Sequence, residues 1–199
     1  MNNLIFNYVS RETLSLLKEY VTLIEQWNRK TGLVQQNTLE HIWERHILDS
    51  LQLATYFENK DQSILDIGSG GGLPGIIIAI SGYTNVTLCE SNIRKVVFLE
   101  EVVRKLNLPV KVIHDRIENI NQHYDIITSR ACASLEKLLG FMKNVSRETG
   151  SFGVFPKGKT ALLEIEEARK TWNFNAELFP SITSDEGTII VVRNLKVKD

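Results

Sequence analysis

Apolar residues recur at helical spacing near the start of the chain. Leu14, Leu17, Val21 and Ile24 share one face, with Leu16, Tyr20, Leu23 and Trp27 beside them, which predicts a helix over 10–28. Ser10 is its candidate N-cap, and Gly32 its candidate stop. Ile42, Ile47, Leu48, Leu51 and Ala54 predict a second helix over 38–57, capped by Thr38. Asn59 to Gln62 is a polar break. Beyond it, short apolar runs alternate with amphipathic stretches. Strands are predicted at 63–67, 85–89, 110–113, 124–129, 150–155, 174–181 and 187–193, and helices at 73–81, 92–106, 134–144 and 160–170. Such alternation predicts an α/β fold with a mostly parallel, doubly wound sheet and helices on both faces. Ser184-Asp185-Glu186-Gly187 is a turn signal between the last two strands, so the sheet should end in an antiparallel hairpin. The predicted organisation is one compact domain, with a helical extension (1–60) packed on a core (61–199).

The run Ser63-Ile64-Leu65-Asp66-Ile67-Gly68-Ser69-Gly70-Gly71-Gly72-Leu73-Pro74-Gly75 carries the most chemistry. A strand, a glycine turn and a helix in that order let backbone N–H groups approach a ligand at a helix N-terminus. Gly68, Gly70 and Gly72 fit G-x-G-x-G, but a dinucleotide fingerprint would need glycine at position 73, where Leu73 stands. That mismatch favours S-adenosylmethionine over NAD. Glu90 closes the second strand about 20 residues later, the usual place for an acid that accepts from ribose hydroxyls. Asp66 either steadies the turn or reaches the ligand through water. Ile117 and Glu118, after the third strand, would pack on an adenine face and read its polar edge. On residues alone, solvated charges at a helix start are the stronger reading.

Arg130 leaves the fourth strand at the edge of the expected crevice. Its guanidinium suits a carboxylate, a phosphate or a guanine edge. The Pro-Pro-aromatic turn of amino-group base methylases is missing there, as is the Pro-Cys pair of cytosine-C5 methylases. Cys132 therefore reads as a small core residue. On the second helix His46 and Ser50 share a face, as do Arg45 and Asp49; His46 reads as structural before it reads as a general base. Lys157, Lys159, Arg193, Lys196 and Lys198 form either an RNA-contact edge or a solvated cluster.

Composition narrows the classes. A chain of 199 residues with 43% hydrophobic and 24% charged residues buries a full core without disulfide staples. Cys89 and Cys132 lack metal-ligand spacing, so no metal is expected. Met1 to Tyr8 lacks a signal-peptide pattern, and no apolar run is long enough to span a bilayer, so the expected location is the cytoplasm with no membrane partner. A net charge of −1 shows no global nucleic-acid signature.

These segments together resemble the bacterial ribosomal RNA small-subunit methyltransferase G family, also called glucose-inhibited division protein B. The resemblance runs over nearly the whole chain. It rests on Gln26-Trp27-Asn28, Arg45-His46-Ile47-Leu48-Asp49-Ser50, the glycine run, Arg94-Lys95-Val96-Val97-Phe98-Leu99, Ser129-Arg130-Ala131 and Lys157-Gly158. It departs at Gly32-Leu33-Val34, where members usually read Asn-Leu-Thr, and at Gly187 or Thr188, where many carry Arg. The resemblance implies a Rossmann-like class I methyltransferase with a seven-stranded sheet. It implies transfer from S-adenosylmethionine to guanine N7 in a decoding-region loop of 16S rRNA, free or in the small ribosomal subunit, by a monomer. Gly68, Leu73, Ile117, Glu118 and Arg130 would contact ligand, joined by Asp66, Gly70 and Glu90 from the reading above. Arg130 would position the guanine or hold the donor's methionine carboxylate, with no general base. Other acceptors on the same fold (another RNA, a small molecule or a protein) remain the alternative, as does an RNA-binding module without transfer.

Overall fold

A computed structural model describes residues 9–198; the signal-peptide reading of Met1 to Tyr8 lies outside them. Helix α1 (Arg11–Thr31) opens on Ser10, whose Oγ accepts from Thr13 N at 3.2 Å, and ends at Gly32, left-handed at φ 62°. Leu17, Tyr20 and Ile24 are fully buried on its inner face. Asn28 Oδ1 accepts from Leu33 N and Val34 N, both at 2.8 Å, and so turns the chain out of the helix.

The predicted second helix is not one helix. Gln36–His41 is a 3₁₀ turn, Trp43–Leu48 a π-helical turn, α2 (Asp49–Leu51) a single α turn, and Gln52–Tyr56 another 3₁₀ turn. The five-residue step from Ile42 to Ile47 suits the wide i→i+5 turn, which lets both side chains be buried. Thr38 caps nothing; it bonds His46, eight residues on.

The rest is a seven-stranded sheet in the order β3-β2-β1-β4-β5-β7-β6. Strands β1 (Ile64–Ile67), β2 (Val86–Glu90), β3 (Val110–His114), β4 (Ile126–Thr128) and β5 (Phe152–Lys157) run parallel. β6 (Trp172–Pro180) and β7 (Thr188–Val197) form the antiparallel finish, and Gly187 N donates to Ser184 O at 3.0 Å in the turn between them. Helices α3 (Gly75–Ile80), α4 (Ile93–Lys105), α5 (Leu135–Val145) and α6 (Ala161–Ala168) lie between strands. Both faces of β1 are covered. Ile64 joins one apolar core with Ile76, Ile77 and Phe98; Leu65 and Ile67 join the other with Ile127 and Leu139. This double burial is why β1 and β2 are buried along their whole length and mostly apolar, Asp66, Thr87 and Glu90 excepted. The strand order reverses between β1 and β4, and the carboxyl ends of these strands open a crevice there. No helix among the described residues is long and apolar enough to cross a membrane.

Candidate functional site

The loop after β1 is tied down from three sides. Gly68 N and Ser69 N donate to the Cys89 carbonyl at 2.9 and 3.1 Å, which fastens the loop to β2. The Tyr20 hydroxyl, fully buried on α1, donates to the Gly71 carbonyl. Glu90 accepts from Gly70 N through one carboxylate oxygen and from Asn92 N through the other, both at 2.8 Å. The acid expected on the ribose thus already clamps two backbone amides and is nearly buried. Glu90→Gln sets an amide N–H₂ against one of those donors, and an unmet buried bond costs about 1–3 kcal/mol. Thermal unfolding should show that loss, together with weaker cofactor binding in a titration.

Asp66 is fully buried behind the loop. Its Oδ2 accepts from Gly75 N at 3.0 Å, at the start of α3, and its Oδ1 has no partner among the described residues. Burial pushes its carboxyl up to about 7, against the lowering effect of the Gly75 and Ser69 bonds. A raised folded-state value means the fold holds a proton that the unfolded chain releases. Asp66 therefore costs stability progressively as pH rises from about 4 through 7. Between pH 5 and 8 the melting temperature of the free protein should fall relative to Asp66→Asn. Parallel curves for the two would contradict this.

A cavity of about 1100 Å³ opens beside the loop. Gly68, Gly70 and Leu73 line it, with Arg130 from the segment after β4 and Arg45, His46 and Asp49 from the helical extension. A smaller pocket of about 160 Å³ is lined by Ile117, Glu118 and Asp115. The two share Gly68, Cys132 and Ala133, so one elongated ligand can span both. A Cβ on Gly68 would stand 2.5 Å from Cys132 Sγ, and its φ of 65° also favours glycine. The structure therefore brings six of the eight expected residues to two adjoining pockets. Asp66 and Glu90 stand one layer behind, holding the loop.

Arg130 is anchored by the extension. Its Nη1 donates to the Arg45 carbonyl at 3.0 Å and to Asp49 Oδ2 at 3.2 Å, and its Nη2 donates to His46 Nδ1 at 2.7 Å. The guanidinium has five N–H donors, so Nε and one Nη2 proton remain free of partners among the described residues. The helical pairing of Arg45 with Asp49 expected from spacing is replaced by this longer-range one. Asp49 Oδ1 accepts from Thr183 Oγ1 at 2.8 Å, and Gln52 bonds Ser181 Oγ and Ile182 N, which fastens the β6–β7 turn to the same segment. Burial and the Arg130 and Arg45 charges push His46 down to about 4, so it is neutral at neutral pH.

Three sequence readings change. Cys132 is exposed rather than in the core, because Ala131 takes a left-handed turn at φ 53°; burial of its sulfur still raises its pKa, so it is a thiol. Lys157 is no free RNA contact: its Nζ donates to the Ala133 carbonyl at 2.7 Å and Glu164 Oε2 at 2.8 Å. Arg193 packs over the Phe152 ring at 4.3 Å and pairs with Glu58. The sequence reading missed Leu33, Val34, Thr38, Lys95, Ser181 and Gly187 as cavity residues. Two of those segments are where the chain departs from the family pattern, which was the available signal.

A family model described as rRNA small subunit methyltransferase G matches residues 13–188. The ribosomal RNA small subunit methyltransferase G of Rickettsia rickettsii (strain Sheila Smith) is 42% identical over 188 residues, 94% of this chain and 97% of the relative. That of Rickettsia felis is 40% identical over 187 residues, 94% and 96%. The fold resembles a ribosomal protein L11 methylase from Lactobacillus delbrueckii subsp. bulgaricus (TM-score 0.59, 16% identity, 76% of this chain and 77% of that one). It also resembles a putative S-adenosylmethionine-dependent methyltransferase from Methanococcus maripaludis (TM-score 0.61, 12% identity, 79% and 91%).

Proposed function

The chain belongs to the rRNA small subunit methyltransferase G family, and from that membership we propose that it methylates guanine N7 in a decoding-region loop of 16S rRNA. It is an S-adenosylmethionine-dependent enzyme of the class I fold. We assign the donor's amino-acid portion to the glycine loop, through Gly68, Gly70 and Leu73, and its adenine to Ile117 and Glu118. Asp66 and Glu90 act from behind, by keeping the loop open. Bound there, the donor supplies an electrophilic methyl on a sulfonium sulfur.

The observation that supports an N7 acceptor is how the ionisable groups around the cavity are engaged. His46 is bonded through both ring nitrogens, Asp49 is bonded to Arg130 and Thr183, Glu164 holds Lys157, and Cys132 is a thiol. None is placed to take a proton from an acceptor. Guanine N7 carries an in-plane lone pair and no proton, so it needs alignment only. Alignment is worth up to about 7–11 kcal/mol in favourable cases. The two spare donors of Arg130 suit guanine O6 while leaving N7 open. In A-form RNA the N7 edge lies in the deep groove beyond side-chain reach, so the base enters unpaired. The helical extension (1–60) and the core (61–199) work as one unit, because Thr38, Arg45, His46 and Asp49 of the extension line the cavity together with the glycine loop. We assign a cytoplasmic monomer.

The test is transfer of labelled methyl from S-adenosylmethionine to small ribosomal subunits, or 16S rRNA, that lack the mark. Label is expected on one guanine N7. Label elsewhere, or transfer to a protein or small molecule without RNA, overturns the acceptor assignment.

A further inference from the structure

The Arg130 contact to His46 rests on a chain of bonds that leaves no choice of direction. The Gln35 carbonyl can only accept, so the Thr38 hydroxyl donates to it at 2.7 Å. That same Oγ1 lies 2.7 Å from His46 Nε2 and, its proton being engaged, must accept. Nε2 therefore carries the ring proton. Nδ1 is left with its lone pair, and Arg130 Nη2, which cannot accept, donates to it. Arg130 is thus held on two of its nitrogens: Nη1 by the Arg45 carbonyl and Asp49, and Nη2 by the imidazole. Contacts to Nη1 alone leave the planar group free to swing about that atom. The bond to Nη2 stops the swing.

We infer that His46 is a positioning residue for Arg130: its Nδ1 lone pair, oriented by the Thr38 hydroxyl, fixes the guanidinium plane against the acceptor base. This rests on the role proposed for Arg130 above. The ring lies on the π-helical turn, and Asp49 stands three residues on, so both meet one guanidinium. Its burial among Thr38, Arg45 and Arg130 keeps it neutral, so the lone pair persists at working pH.

Two substitutions separate the halves of the imidazole. In His46→Asn the amide oxygen stands near Nδ1 and still accepts from Arg130, while the link to Thr38 is lost. In His46→Gln the longer amide reaches Thr38, and the acceptor for Arg130 is lost. His46→Asn is expected to keep kcat within about threefold of the parent, and His46→Gln to lose about tenfold or more, since misplacement by about 1 Å can cost a hundredfold. KM for the donor should move little in either. Thr38→Val frees the tautomer and should fall between them. In an Arg130→Ala background His46→Gln should cost nothing further, because both act on one group. A structural role alone predicts the reverse order, with His46→Gln the milder change and full additivity with Arg130→Ala. That order, or parental kcat in both His46→Gln and Thr38→Val, overturns the inference. If Arg130→Ala itself keeps the parental rate, the role of Arg130 has failed instead. Melting curves and donor titration on each variant keep loss of fold apart from loss of position.

Discussion

Arg130→Ala is expected to lower kcat for methyl transfer by about a hundredfold or more, with only a small fall in melting temperature. The two effects separate because of where the side chain sits. Its three acceptors, the Arg45 carbonyl, Asp49 and His46, line a large open cavity, and water can replace the guanidinium at each. The fold therefore keeps its satisfied polar groups. The acceptor base, in contrast, loses the planar pair of donors that would orient it. Arg130→Lys should recover little, since an ammonium keeps the charge but not the fork, and it cannot reach His46 and Asp49 in one plane. Single-turnover rates, with donor and RNA affinities measured separately, check this. A rate within twofold of the parent would remove Arg130 from the site.

The largest loss of stability is expected from Gly72→Ala. Gly72 stands at φ 87°, and a Cβ there would lie 2.4 Å from Ile76 Cγ1 and 3.1 Å from Leu99 Cδ2. Both neighbours are fully buried, so neither can swing away. Overpacking of this kind costs about 1–3 kcal/mol, and a left-handed non-glycine residue about 1–3 kcal/mol more. Gly150→Ala is the control. It has a similar φ of 83° but nothing within 4 Å, so it carries the backbone cost alone. The difference between the two unfolding midpoints isolates packing at the head of α3. Equal midpoints would mean that the loop yields and that its shape is not held by the core.

What the sequence revealed and what it hid follow from the range of the forces involved. The central strands were legible because a strand buried on both faces is mostly apolar, β1 carrying Asp66 alone among apolar residues, and the last two because the turn signal from Ser184 to Gly187 separates them. Gly68 and Gly70 were legible because both take left-handed backbone angles, which favour glycine. The segment from Gln36 to Tyr56 was misread as one helix. Its apolar residues satisfy a helical count, while the wide turn in the middle is set by contacts with distant residues: Asp49 with Thr183 and Arg130, His46 with Arg130. The placement of Cys132 failed for a local reason, the left-handed Ala131 before it, which no periodicity reports. Glu90 shows the limit of motif reading. Its place at the end of β2 suggested a ribose contact, yet the nearest demand on its carboxylate is the loop's own backbone.

The bonds from Asp49 to Thr183 and from Gln52 to Ser181 join residues more than 120 apart in sequence. During synthesis the glycine loop and the His46 segment therefore emerge long before the turn that holds them in place. A nascent chain halted before Ser181 has the donor loop but not the brace on Asp49, and so no firm seat for Arg130. The brace on Asp49, and with it the seat of Arg130, therefore forms only once the β6–β7 turn has been made.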